Sequence, residues 1–196
     1  MQTEGPPLTL DRFIVEMGRE PAATIAAERF LRLALALDLD DAIVRAHVRF
    51  CDGHYARNLI CRTPRFELLV LCWKPGQAST IHDHAGSLNV TSVYEGALTS
   101  RLFAREGGGG GVAEVGGAQA ALPSGPVHLV RQDVLAGAGH AAVDRGEIHQ
   151  LANESDAGLV TVHLYAPPLT DVLVYSTIDA ATKVTRLRYS LADDFA

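Results

Sequence analysis

The feature that most constrains the fold is a change of pattern near residue 55. From about Tyr55 onward the chain is a succession of short β-prone runs cut by turn residues. Phe66 to Trp73, Leu88 to Tyr94 and Ala97 to Phe103 are separated by Pro-Gly or Glu-Gly punctuation. Val127 to Leu135, Gly158 to Ala166 and Val172 to Tyr175 continue the series, and Val184 to Tyr189 predicts a final strand. Many short strands with regular turns predict a mainly β architecture that closes as a barrel or jelly roll.

The segment before it reads differently. Thr9 to Phe50 is helical in character, with Pro6-Pro7 at its start and Thr9 or Asp11 as a first cap. Ala22 to Leu37 places Ala26, Phe30, Leu33 and Leu37 at helical spacing. Asp38 to Asp41 predicts a connection with a capping carboxylate, and Ala42 to Phe50 a further helix. The expected organisation is one domain over residues 1–196, with a helical cap over about 1–50 and a β-barrel over about 55–190.

Composition narrows the function. The chain has 196 residues, 47% hydrophobic and 20% charged, which excludes a disordered chain. Its net charge of -6 gives no footprint for nucleic acid or an anionic membrane, yet leaves room for a small anionic substrate at a local Arg. Cys51, Cys61 and Cys72 are odd in number and contain no CxxC pair, against a disulfide framework or a zinc knot. Cys72 sits in an apolar run and is expected buried, as is Trp73. The N-terminus lacks a basic region followed by an apolar one, and no stretch reaches the roughly 20 apolar residues of a membrane span. A soluble, cytoplasmic protein is the expectation. The Gly107 to Gly111 run has no following Lys-Ser/Thr or helix pattern, so a hairpin tip is expected there rather than a phosphate loop.

The chemistry-bearing pattern is His82-Asp83-His84 in the stretch that begins at Gly76. Two histidines at i and i+2 of a strand share a face and can bind one cation. Pro75-Gly76 supplies a turn that places the pair near a barrel mouth. Asp83 lies between them and should face the other way, into a barrel hydrogen bond. His47, His54, His128 and His140 have no matching partner and are expected to be structural or exposed.

The surrounding residues resemble the cupin superfamily, whose first motif is G-x5-H-x-H-x4-E-x6-G. Gly76, His82, His84 and Gly96 stand at those spacings. The second motif, G-x2-H-x3-N, matches Gly146, His149 and Asn153, with Asp144 where a proline is usual. The resemblance implies a cupin jelly-roll barrel with three histidine ligands: His82, His84 and His149. Asn89 occupies the position of the usual glutamate ligand, so a dication held by three neutral imidazoles stays uncompensated. Such a site favours an anionic ligand, and a thiolate suits it because metal coordination lowers a thiol pKa.

A narrower resemblance runs from about Tyr55 to Pro168. Tyr55-Ala-Arg57-Asn58-Leu59, Leu71-Cys72-Trp73, Ser79 to His84 and His163-Leu164-Tyr165-Ala166-Pro167-Pro168 are similar to cysteine dioxygenases in order and spacing. The family implies one Fe(II) per chain and addition of both atoms of O2 to the sulfur of L-cysteine, giving cysteine sulfinic acid. By position, His82, His84 and His149 are the iron ligands, and Arg57 binds the substrate carboxylate with help from Tyr55. Tyr165 would donate a hydrogen bond to the substrate or the dioxygen, and His163 would orient it. Animal members carry a cysteine at the Asn89 position, cross-linked to the tyrosine that matches Tyr165; here Tyr165 is expected free. Relatives that prefer 3-mercaptopropionate carry Gln where this chain has Arg57, so Arg57 favours cysteine. The alternatives are a 3-mercaptopropionate dioxygenase and a non-catalytic metal-binding cupin. The implied partners are a small thiol and O2, with no nucleic acid and no membrane; the sequence sets no oligomeric state.

Overall fold

A computed structural model describes residues 7–19, 25–105, 125–137, 139–143, 145–179 and 181–190. Asp144, Pro6, residues 22–24 and the Gly107–Gly111 run lie outside the described residues.

Among the described residues three helices precede the strands: α1 (Leu10–Gly18), α2 (Ala27–Ala36) and α3 (Asp41–Ala46). Thr9 caps α1 by accepting from the backbone N–H of Arg12, and Asp40 caps α3 by accepting from that of Ala42. Phe13 and Met17, one turn apart, are the buried residues of α1, and Phe30 and Leu33 those of α2. The third helix is shorter than its sequence suggests. It stops at His47, whose ring nitrogen Nδ1 bonds the carbonyl of Ile43, and 48–50 run on without helix.

Ten strands follow. They are β1 (Ala56–Arg62), β2 (Glu67–Trp73), β3 (Leu88–Glu95), β4 (Ala97–Arg105), β5 (Val127–Ala136), β6 (His140–Val143), β7 (Ile148–Ala152), β8 (Leu159–Ala166), β9 (Asp171–Tyr175) and β10 (Thr182–Arg186). One sheet has the order β1-β2-β8-β3-β6, a second β5-β4-β7, and β10-β9 form a ribbon. All pairings are antiparallel. Isolated bridges Ala78↔Ala152, His82↔His149 and His82↔Val174 lace the segment after β2 between β7 and β9. The result is a jelly-roll barrel of the cupin type with an N-terminal helical cap.

The burial of β2 explains how the cap sits. All seven of its residues are buried. Leu68 packs with Phe13, Met17 and Phe30 on the helix side, whereas Leu69, Leu71 and Trp73 pack inside the barrel with Leu98, Leu151 and Val172. Period-2 alternation therefore serves two cores at once.

Two expectations shift. The last strand is Thr182–Arg186, earlier than Val184 to Tyr189: Leu187 still bonds its in-register neighbour Thr170, but by Ser190 the chain has left the ribbon to bond the backbone of Arg57. The His82-Asp83-His84 stretch is not a regular strand either: His82 is held by single bridges, and Ala85-Gly86 turn immediately after His84 with positive φ. Among the described residues no helix is long and apolar enough to cross a membrane.

Candidate metal centre

His82 and His149 exchange both backbone hydrogen bonds, N–H of each to the carbonyl of the other, at 2.9 and 2.8 Å. This narrow bridge sets their rings 4.7 Å apart, centroid to centroid. The turn after His84 folds its ring edge-on to that of His149 at 4.6 Å. One nitrogen from each of the three lies within 4.8 Å of the others, and all three residues are buried. The Nε2 atoms of His84 and His149 stand 2.8 Å apart. Two nitrogens bound at right angles to one cation, each ~2.1 Å from it, would stand ~3 Å apart. The Nδ1 of His82 bonds the carbonyl of Thr80 at 2.9 Å, which leaves its Nε2 for a metal. Burial holds all three imidazoles below the usual histidine range, and for His84 the neighbouring His149 and His82 add to it. Three unprotonated, convergent nitrogen donors fit a divalent transition metal.

Asp83 faces away as expected. Its carboxylate accepts from the backbone of Leu173 and from the hydroxyl of Tyr175 at 2.9 Å, which anchors the ligand-bearing segment to β9. Asn153 braces the other end: its side-chain amide donates to the carbonyls of Trp73 and Ala157, and its own carbonyl accepts from Gly76, where φ is +79°.

A cavity beside His82 is lined by Tyr55, Arg57, His163 and Tyr165, with Leu187 at its border. Arg57 is on β1, and its side chain is only 8% exposed, so it is no surface ion-pair residue. Its Nε and one Nη have no hydrogen-bond partner among the described residues. Glu67, fully buried on the paired strand, lies 3.6 Å from the guanidinium. The same carboxylate accepts from Tyr189 at 2.5 Å and from the backbone of Leu169. Tyr55 stacks on Trp73 at 4.2 Å, which fixes the ring at the cavity wall.

His163 and Tyr165 share a face of β8, and the phenol oxygen is 3.2 Å from His163 Nδ1. Burial and the Arg57 charge hold His163 neutral, down to about 3. Burial pushes the Tyr165 phenol up, so it stays protonated. Trp73 donates to Thr161 Oγ1 at 2.9 Å, and Thr161 Oγ1 is 2.9 Å from His163 Nε2. Thr91 donates to Asn89 Oδ1, and its oxygen lies 3.1 Å from His163 Nδ1. One assignment gives every donor in this chain an acceptor: Thr161 donates to Nε2, and Nδ1–H points at Thr91 and Tyr165. The Tyr165 hydroxyl proton is then left for the cavity.

Thr161, Thr91 and Glu67 were not legible as site residues, although each left a trace. Thr161 is two before His163, hence on the same face. Glu67 is the one charge in an apolar run. His47, His54, His128 and His140 stay outside the metal-binding group formed by the described residues. The three cysteines are free thiols, and burial pushes that of Cys72 up to about 11.

Comparison with known proteins places this geometry. The sequence model of the family described as cysteine dioxygenase type I matches residues 9–178. Cysteine dioxygenase type 1 of Homo sapiens is 37% identical over 59 residues, 30% of this chain and 30% of that protein. That of Danio rerio is 38% identical over 56 residues, 28% of each. These matches span less than a third of the relatives' length. A solved structure from Thermus thermophilus superposes with a TM-score of 0.49 at 20% identity, over 67% of this chain and 99% of that one. With the family match running through both histidine motifs and the cavity residues, the chain belongs to the cysteine dioxygenase type I family.

Proposed function

We propose that the protein is a mononuclear, non-haem Fe(II) thiol dioxygenase that converts L-cysteine and O2 to cysteine sulfinic acid. The observation that carries this reading is one cavity that joins a member of the histidine trio to a buried guanidinium with unsatisfied donors. A buried cation with free N–H groups is costly until an anion fills them. A carboxylate matches its planar fork. The metal end, three imidazoles with no carboxylate among them, suits a thiolate. A substrate with both groups, separated by a short chain, bridges the two.

Iron held by His82, His84 and His149 would supply the redox chemistry at which thiolate and O2 combine. The sulfur loses four electrons, both oxygen atoms end on it, and the thiolate becomes a sulfinate with no further reductant. Arg57 binds and orients the carboxylate, steadied by Glu67. Tyr55 closes the cavity wall beside it. Tyr165, protonated and held by His163, donates its hydroxyl proton into the cavity as a hydrogen bond to substrate or dioxygen.

The test is O2 consumption by Fe(II)-loaded protein with L-cysteine, 3-mercaptopropionate and cysteamine in parallel, with sulfinate measured by mass spectrometry. One O2 per sulfinate is expected, with cysteine the best substrate and cysteamine, which lacks the carboxylate, poor. No uptake with any thiol refutes a dioxygenase. Faster turnover of 3-mercaptopropionate overturns cysteine as substrate, and equal turnover of cysteamine removes Arg57 from its role.

A further inference from the structure

β5 is an edge strand. Among the described residues its strand partner is β4, its first residue Val127 also bonds the carbonyl of Ser176, and from His128 to Val134 every residue is exposed. Three of its apolar side chains stand in solvent: Leu129 at 50%, Val130 at 56% and Val134 at 64% exposure. Open edges are ordinarily blunted by charged side chains, Pro, a β-bulge or a covering segment, because an apolar edge invites pairing with another chain; β5 carries a bulge at Val130 and two charges, Arg131 and Asp133, of opposite sign. The strand Leu129-Val130-Arg131-Gln132-Asp133-Val134-Leu135 has no Lys or Pro.

It has a second property. Read from Gln132 in either direction, the order is charge, valine, leucine, and the two charges are of opposite sign. A strand that meets a second copy of itself antiparallel, with the two-fold axis at Gln132, aligns residue 132 + n with 132 − n of its partner. Arg131 then faces the partner's Asp133, Val130 faces the partner's Val134, and Leu129 faces the partner's Leu135. Each pair occurs twice. Self-complementarity of this kind is what an isologous two-fold interface requires. Arg131 and Asp133 already bond each other at 2.7 Å within the strand, so a second copy would close a ring of four alternating charges.

We infer that the protein associates with a second copy of itself through antiparallel pairing of β5, centred on Gln132. β4, on the other side of β5, carries Leu102 opposite His149, so the partner strand extends the sheet that supports the metal centre. The contact is a short ladder, well below the area of a standard interface, so the dimer should be weak, with a Kd on the order of 10–100 μM.

Sedimentation equilibrium of the full chain from low micromolar to several hundred micromolar tests this. Wild type should pass from one to two chain masses across that range. Arg131→Asp and Asp133→Arg each place like charges opposite each other twice and should raise the dissociation constant at least about tenfold. Mixed in equal amounts, the two variants restore both attractive pairs in a heterodimer and should recover association to within about threefold of wild type. Val134→Lys should also dissociate the dimer. Circular dichroism melts that match wild type show that the variants, all at exposed positions, remain folded. A monomer at every concentration overturns the proposal. So does a dimer indifferent to Arg131→Asp and Val134→Lys, and a mixture that fails to re-associate overturns the register about Gln132.

Discussion

Arg57 and Glu67 show how a single buried pair can be set for a third charge. The two groups are 3.6 Å apart, and the carboxylate is also engaged by Arg62, Tyr189 and the backbone of Leu169. At that distance Glu67 balances the guanidinium charge without accepting a hydrogen bond, so Nε and one Nη keep no acceptor among the described residues. Replacing Arg57 by Gln removes the charge-assisted bonds, each worth about 1.5–3 kcal/mol, so KM for cysteine should rise roughly 10- to 100-fold. Bound iron should not change, because Arg57 does not touch the histidine trio; steady-state kinetics with metal analysis checks both, and an unchanged KM places the substrate elsewhere. Asn89 acts at longer reach. It fixes the Thr91 hydroxyl, whose oxygen then faces His163. With Ala at 89 that hydroxyl is free to turn and compete for Nδ1, so kcat should fall roughly three- to tenfold. KM and iron content should hold; a rise in KM with constant kcat would contradict the orienting role.

At the scale of elements, the legible parts of the fold are those whose surroundings are uniform. β2 and β8 read as strands because one side meets the helices and the other the barrel core, which keeps both runs apolar or β-branched. β6 and β7 were not read as strands. They are four and five residues long, and β7 carries His149 and Gln150 for other duties, so neither has a run to detect. The histidine pair was legible by spacing, yet its local structure was not: a lone bridge on each side of His82 depends on residues far along the chain. The motif glycine at 96 was visible and its reason was not. Gly96 turns β3 into β4 with φ +88°, and a Cβ there would stand 2.7 Å from the Gly158 carbonyl. That oxygen is backbone and cannot step aside as a flexible side chain would. Gly96→Ala should lower unfolding free energy by about 2–4 kcal/mol in urea titration. A loss under ~0.5 kcal/mol would show that the turn relaxes freely.

For the whole molecule, the cost of building this site falls on stability and depends on pH. Four histidines, His82, His84, His149 and His163, are buried together; among the described residues that line the cavity the full charge is that of Arg57, and the Asp83 carboxylate beside His82 only partly offsets the burial. Burial is the leading cause of lowered basicity in each. The unfolded chain, where histidine titrates near ~6.5, takes up protons that the folded chain refuses. Stability is therefore fully present above ~6.5 and is lost as pH falls from there toward the folded values. For His163 the window runs down to about 3. Between pH 7.5 and 5.5 that one residue should remove about 1.4 kcal/mol, and the trio acts in the same direction. The measurement is urea unfolding of chelator-stripped protein at the two pH values. A loss smaller than ~1 kcal/mol would mean that the imidazoles keep ordinary basicity and that the pocket is wetter than its burial implies. His163→Gln separates this from general acid sensitivity. It deletes one of the four titrating groups, so the difference between the two pH values should shrink by about 1.4 kcal/mol while the acid loss due to the trio remains.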